Sequence, residues 1–116
     1  MRGIPLSVHS VLEMFAAPAI MVVPFALGFG PAATALAVLI GVVLLALSLQ
    51  ADGAGTAVPV SAHAGFDYML ATAALAGGVA VGLVTGDWTA GVFLVGIGAA
   101  QVALAASTRF SVARSA

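Results

Sequence analysis

Residues 4–13 read IPLSVHSVLE, and residues 58–67 repeat the same pattern as VPVSAHAGFD. Pro, Ser, His and a carboxylate recur in the same register 54 positions later, and each copy leads into a long apolar run. Both histidines of the chain and two of its four acidic residues belong to this duplicated element. The repetition predicts two similar halves that place their few polar side chains at matching positions.

The composition indicates a protein that lives in a lipid bilayer. Of 116 residues, 63% are hydrophobic and only 6% are charged, whereas soluble domains carry about 25% charged residues. A spanning helix needs about 20 apolar residues, so the chain has room for four spans. Its long apolar runs lack the alternation of a β-barrel. We therefore predict an all-α integral membrane four-helix bundle, made of two tandem helical hairpins related by a parallel internal repeat.

Several functional classes are disfavoured by what the sequence lacks. It has no cysteine, which removes disulfides and thiolate sites. Its net charge is −1 without a basic cluster, so nucleic acid is not an expected partner. It contains no Walker loop, and its serines have no base beside them in a recognisable motif, so we expect no enzymatic activity. Arg2 precedes an apolar stretch as in a signal peptide, but the internal repeat of this element favours a first span of the mature protein.

The predicted hairpins cover residues 1–50 and 61–107. Their spans are 7–29, 32–49, 61–84 and 88–107. Residues 51–60 contain Asp, Gly, Thr and Pro and are predicted to form a solvated linker, and residues 108–116 a tail.

Local signals refine the ends of these spans. Ser7 is predicted to cap the first span and Asp87 the fourth, because both side chains accept hydrogen bonds from backbone N–H groups. Pro31 suits the first position of the second span. Pro18 and Pro24 interrupt the first span, where a kink is expected because proline lacks a donor and clashes with the preceding turn.

The three arginines set the predicted orientation. Arg2, Arg109 and Arg114 all fall on one side of the four-span model, and the two hairpin turns on the other side carry no Lys or Arg. The positive-inside rule then places both termini and the linker in the cytoplasm, with the spans in a bacterial inner membrane.

Small residues recur every four positions in the third span, at Ala74, Gly78, Gly82 and Gly86. Such a row lets helix backbones approach closely in lipid and predicts a packing face. With so little chain outside the bilayer, the expected partners are lipid and either further copies of the chain or a larger membrane complex.

His9 and Glu13 lie four residues apart on one predicted helix, and His63 and Asp67 repeat this spacing. If the first and third spans pack together, all four side chains converge. Three interpretations stay open: hydrogen bonds that fix the register of the halves, a divalent metal site, and proton or cation handling. No cofactor is the first expectation, with a divalent metal as the alternative. Haem held by His9 and His63 is disfavoured, because an acid follows each His one turn deeper.

Residues 23–29, VPFALGF, followed by an apolar helix with Gly41 in its middle, resemble the SPW repeat family of small bacterial integral membrane proteins. In that family each unit is a helical hairpin with Pro-Trp near the end of its first helix, and the units occur in tandem. Here Phe25 stands in place of Trp, and the second half reads GGV at 77–79. The resemblance implies two tandem hairpins and four spans; it implies no activity, because the family is uncharacterised.

The functional prediction is a non-enzymatic scaffold or accessory subunit that packs with itself or with a larger membrane complex. The alternative is transport of protons or a small cation through Glu13 and Asp67, with His9 and His63 as relays or ligands. Replacing both carboxylates by their amides separates the two, because it leaves a scaffold assembled and abolishes transport.

Overall fold

The computed structural model describes residues 3–51 and 60–109. Within these residues the chain forms four helices and one pair of two-residue strands. The helices are α1 (Leu6–Leu27), α2 (Pro31–Ala51), α3 (Val60–Thr85) and α4 (Trp88–Ser107). The strands β1 (Ile4–Pro5) and β2 (Thr108–Arg109) pair in parallel and bring the start of α1 beside the end of α4. The all-α prediction is confirmed. The end residues of the predicted linker, Ala51 and Val60, belong to α2 and α3, and the rest of the linker and most of the predicted tail lie outside the described residues.

All four helices are long and apolar enough to cross a membrane. Large apolar side chains on their outer faces point away from the bundle, among them Phe15 at 76% exposure and Val84 at 83%. In water such surfaces would be costly, whereas in a bilayer they contact acyl chains. The prediction of four membrane-length helices is therefore confirmed.

The ends of α1 differ from the prediction. The helix begins at Leu6, and Pro5 is its N-cap in an extended conformation without a side-chain cap, so the prediction that Ser7 caps the helix is wrong. The proline ring fixes φ near −65°, which suits the residue that leads into the helix, and Ser7 falls inside the first turn. The helix ends at Leu27 because Gly28 adopts a left-handed φ of 69° and its N–H bonds to the carbonyl of Pro24.

Other local predictions agree with the structure. Pro31 is the first residue of α2, and the Asp87 side chain accepts a hydrogen bond of 3.1 Å from the backbone N–H of Ala90 at the start of α4. Pro18 and Pro24 both lie inside α1, which continues through them to Leu27. The predicted kink stays a prediction.

Each hairpin is held by close contact between its two helices. A methyl group at Gly41 of α2 would lie 2.9 Å from the carbonyl oxygen of Ala17 in α1. A methyl group at Gly98 of α4 would lie at the same 2.9 Å from the carbonyl oxygen of Ala71 in α3. Ala17 and Ala71 are 54 positions apart, so each hairpin has a close backbone approach at the matching place in its first helix.

The small residues of α3 face the other helix of their own hairpin. Ala74 is fully buried, a methyl group at Gly78 would lie 2.7 Å from the carbonyl oxygen of Gly91, and Gly82 lies beneath the ring of Trp88. Gly86 lies beyond the end of α3, in the turn before α4, with φ of 75°. The row from Ala74 to Gly82 therefore packs within the chain.

Candidate functional site

The site lies between α1 and α3, at the end of the bundle where β1 and β2 pair. His9 and Glu13 are on the buried face of α1, and His63 and Asp67 are on that of α3. Glu13 lies seven residues beyond Leu6, and Asp67 lies seven beyond Val60, which is roughly 10 Å along each helix. Because each His–carboxylate pair lies at the same distance from the start of its helix, the four side chains meet.

The four side chains form one cluster, and each carboxylate approaches both imidazoles. Between helices, His9 Nε2 lies 2.8 Å from Asp67 Oδ2, and His63 Nε2 lies 3.3 Å from Glu13 Oε1. Within helices, His9 Nε2 lies 3.2 Å from Glu13 Oε2, and His63 Nε2 lies 3.3 Å from Asp67 Oδ2. The two rings meet edge to face, with centroids 5.6 Å apart. The structure thus brings together all four residues that the sequence singled out, within one chain.

The cluster is closed to its surroundings, since the exposure of its members runs from 0% for His9 and Asp67 to 2% for His63. Buried carboxylates are costly unless a positive partner compensates their charge. Protonated imidazoles can supply that charge, and so can a divalent cation bound among the four groups. The arrangement therefore suits either a cluster with protonated histidines or a cluster that binds a divalent metal ion.

Thr108 fixes the orientation of the His9 ring. Its hydroxyl donates a hydrogen bond of 2.6 Å to the carbonyl oxygen of Leu104, and its oxygen lies 2.7 Å from His9 Nδ1. Since the hydroxyl proton is directed to Leu104, the Thr108 oxygen accepts from Nδ1–H. Nε2 of His9 is then the nitrogen that faces the carboxylates.

Gln101 of α4 holds Glu13 in place. Its Nε2 donates a hydrogen bond of 2.9 Å to Glu13 Oε2, and both side chains are buried. Neither Gln101 nor Thr108 was predicted from the sequence to belong to the site. A signal was available, because Gln101 interrupts an apolar run and polar residues inside a span are costly. Thr108 follows seven residues later, directly after the end of α4, and a spacing of about two helical turns places it on the same side as Gln101.

Asp67 contrasts with Glu13. Both of its carboxylate oxygens are buried, and neither has a partner with hydrogen-bond geometry in the part of the chain that the structure describes. The 2.8 Å approach of His9 Nε2 to Oδ2 is a charge contact without that geometry. Buried polar atoms in this condition are uncommon and call for a ligand or another explanation.

A cavity of about 360 Å³ adjoins the cluster between α1 and α4. Apart from Glu13 and Gln101 at one end, its walls are the apolar side chains of Leu12, Ala16, Ala19, Ile20, Leu44, Ile97, Ala100 and Leu104. Such a lining offers little to a hydrated ion.

The donor atoms lie close enough together to hold one metal ion. Each of the four residues offers one nitrogen or oxygen, and these atoms all lie within 4.8 Å of one another. Zinc bonds of 2.0–2.1 Å to nitrogen and oxygen would place tetrahedral ligand atoms about 3.3 Å apart. Three of the four close His–carboxylate distances are 3.2–3.3 Å. The same carboxylates crowd both Nε2 atoms, which argues against a haem between the histidines.

Comparison with known proteins gives no relative: no family model, no curated protein and no solved structure matches the chain. The chemistry of the site therefore has to be argued from its own geometry.

Proposed function

We propose that this chain is a non-enzymatic membrane scaffold that binds one divalent transition-metal ion, with zinc as the best fit, among His9, Glu13, His63 and Asp67. The observation that carries the proposal is the convergence of four buried donor atoms from two helices at spacings suited to a tetrahedral ion. Two imidazoles and two carboxylates suit zinc, or iron or manganese with open positions. Two carboxylates also balance the charge of a divalent cation.

The ion would join two similar halves. Buried residues of α1 and α3 lie 54 positions apart in five pairs: 9 and 63, 13 and 67, 17 and 71, 20 and 74, and 24 and 78. This spacing supports two tandem hairpins related by a parallel internal repeat, as the likeness to the SPW repeat family implies. Each half supplies one imidazole and one carboxylate, so the metal bridges the halves and stabilises their packing.

The proposed setting is a bacterial inner membrane with both termini in the cytoplasm, in line with the three arginines and the positive-inside rule. The outer faces are apolar along the four helices. A scaffold of this kind acts through those faces, on further copies of the chain or on a larger membrane complex.

Proton or cation transport is the second candidate. The observation that favours it is the pair of buried carboxylates beside two histidines, the groups that relay protons inside membranes. We place it second because the cavity beside Glu13 has apolar walls, whereas an ion needs a polar path.

The direct test uses the full chain in mild detergent. The protein is equilibrated with Zn²⁺ or Co²⁺, desalted and analysed for metal content, and the Co²⁺ form is examined by visible absorption. We expect one ion per chain, and for Co²⁺ the intense visible bands of a tetrahedral site. The H9A/H63A variant is expected to lose both.

Asp87→Asn is the matched control, because it alters a carboxylate that caps α4 away from the cluster while keeping a capping oxygen. It is expected to bind metal like the parent. A folded parent that retains no ion would contradict the proposal, and so would metal that remains bound in H9A/H63A.

A further inference from the structure

The two carboxylates of the cluster are supported unequally by the helices that pack behind them. Gln101 stands three residues after Gly98 in α4, and it donates to Glu13. The matching place in α2, three residues after Gly41, is Leu44, which has no hydrogen-bonding group. The second hairpin therefore holds a carboxylate of the first through an amide, and no amide in the described part of the first hairpin donates to Asp67 in return.

Thr108 adds to the same asymmetry. It follows α4 directly and accepts from His9 Nδ1–H, so its contact also runs from the second hairpin to the first. Gln101 and Thr108 thus bind the two first-hairpin members of the cluster. Asp67 remains without a hydrogen bond to either oxygen among the described residues.

We propose that Gln101 and Thr108 are positioning residues that hold Glu13 and His9 as a fixed ligand pair, and that Asp67 is the ligand that adjusts when the ion binds. This inference rests on the proposed metal site. Two residues outside the four ligands would then contribute to the affinity of the site for its metal ion.

The physical reason is that the two carboxylates would lose different contacts when they move. Glu13 cannot rotate without losing the bond from Gln101, so its oxygens stay where the ion needs them. Asp67 has no contact of hydrogen-bond geometry to break when it turns. It gives up only its charge contacts with the two imidazoles, which the ion would replace, so it can change between one and two oxygens on the ion. Partners that orient ligands in this way are commonly worth roughly 10- to 100-fold in metal affinity.

The test measures Zn²⁺ affinity by competition with a chelator for the full-length parent and for variants of the two positioning residues. Q101L copies the residue found at position 44, and T108V removes only the hydroxyl. Both are expected to weaken zinc binding roughly 10- to 100-fold. T108S keeps the hydroxyl and is expected to stay within about threefold of the parent, since the hydrogen bond to His9 can re-form.

Ser48→Ala is the matched control for loss of a buried hydroxyl, because Ser48 is fully buried and donates to the carbonyl of Leu45 instead of to the cluster. It is expected to leave zinc affinity unchanged. Thermal unfolding of the metal-free variants separates positioning from general stability. T108V is expected to unfold at a lower temperature than T108S, because it leaves His9 Nδ1–H without an acceptor. S48A is also expected to unfold at a lower temperature than the parent, yet to keep the zinc affinity of the parent.

Q101L and T108V that bind zinc as tightly as the parent would overturn the inference while leaving the metal site standing. Equal weakening in T108V and T108S would also overturn it, because the hydroxyl would then be irrelevant. A parent that binds no metal refutes the proposed function itself, and the inference falls with it. If Q101L does not fold, the T108V and T108S pair decides the question alone.

Discussion

The two hairpins bury their first helices in the same way and differ in what their second helices add. In α1 and α3 the buried positions match at a spacing of 54, from the histidines down to Pro24 and Gly78. In α2 and α4 the close contacts of Gly41 and Gly98 also match, yet Leu44 in one helix corresponds to Gln101 in the other. Small residues thus let the helices of each hairpin approach closely at matching places, while Gln101 distinguishes the second hairpin from the first.

The largest expected effect comes from removing one carboxylate at a time. Glu13→Gln removes the ligand that Gln101 holds, whereas Asp67→Asn removes the one without hydrogen bonds. Because Gln101 of the second hairpin holds Glu13, Glu13 should be the stronger ligand. We therefore expect the zinc affinity of E13Q to fall at least tenfold more than that of D67N. Chelator competition on both variants measures the difference. Equal losses would mean that the two halves contribute alike.

Hairpin packing is expected to respond equally in both halves. Gly41→Ala and Gly98→Ala each place a methyl group 2.9 Å from a carbonyl oxygen of the neighbouring helix. Overpacking of this kind typically costs about 1–3 kcal/mol, and the matched geometry predicts similar values for the two variants. Unfolding in detergent with increasing sodium dodecyl sulfate, followed by circular dichroism, measures both.

Gly96→Ala is the control for these variants, since a methyl group there would meet nothing within 4 Å on the same helix as Gly98. It should leave stability unchanged or raise it by roughly 0.5–1 kcal/mol, because alanine favours helix. A loss in G96A as large as that in G98A would show that the cost is not caused by close packing.

The smallest expected effect concerns how the second helix of each hairpin begins. Helix α4 depends on the Asp87 side chain, while α2 begins with Pro31. Asp87→Ala should cost about 1 kcal/mol of stability, and Asp87→Asn should cost much less because the amide oxygen still accepts. Pro31→Ala should change stability by less than D87A, since proline's missing N–H has no intrahelical partner at that position. The same unfolding assay ranks the three, and a P31A loss that exceeds the D87A loss would contradict this difference.

Much of the fold could be predicted from the sequence because each helix is encoded by a long, predominantly apolar stretch with Gly, Pro or Asp near its ends. Asp87 and Pro31 mark helix starts by local chemistry alone, and both predictions are confirmed. The prediction that Ser7 caps α1 is wrong because the helix already begins after Pro5. The fixed φ of this proline suits the residue that precedes the first helical turn.

The sequence predicted the four residues of the cluster but not the two residues that hydrogen-bond to them. His9, Glu13, His63 and Asp67 stand out because their spacing repeats along the chain. Gln101 and Thr108 are separated from the residues they contact by 88 and 99 positions and break the repeat. Their contacts depend on how α4 packs against α1, which no local pattern in the sequence encodes.

In the proposed site, one metal ion takes a pair of ligands from each hairpin. X-ray absorption at the zinc edge of the loaded, full-length protein tests it most directly, because it reports the atoms bound to the ion. We predict about four nitrogen and oxygen ligands at roughly 2.0–2.1 Å from the zinc ion, together with the multiple-scattering signal of two imidazole rings. A zinc ion surrounded by oxygen alone, or by a single imidazole, would contradict it.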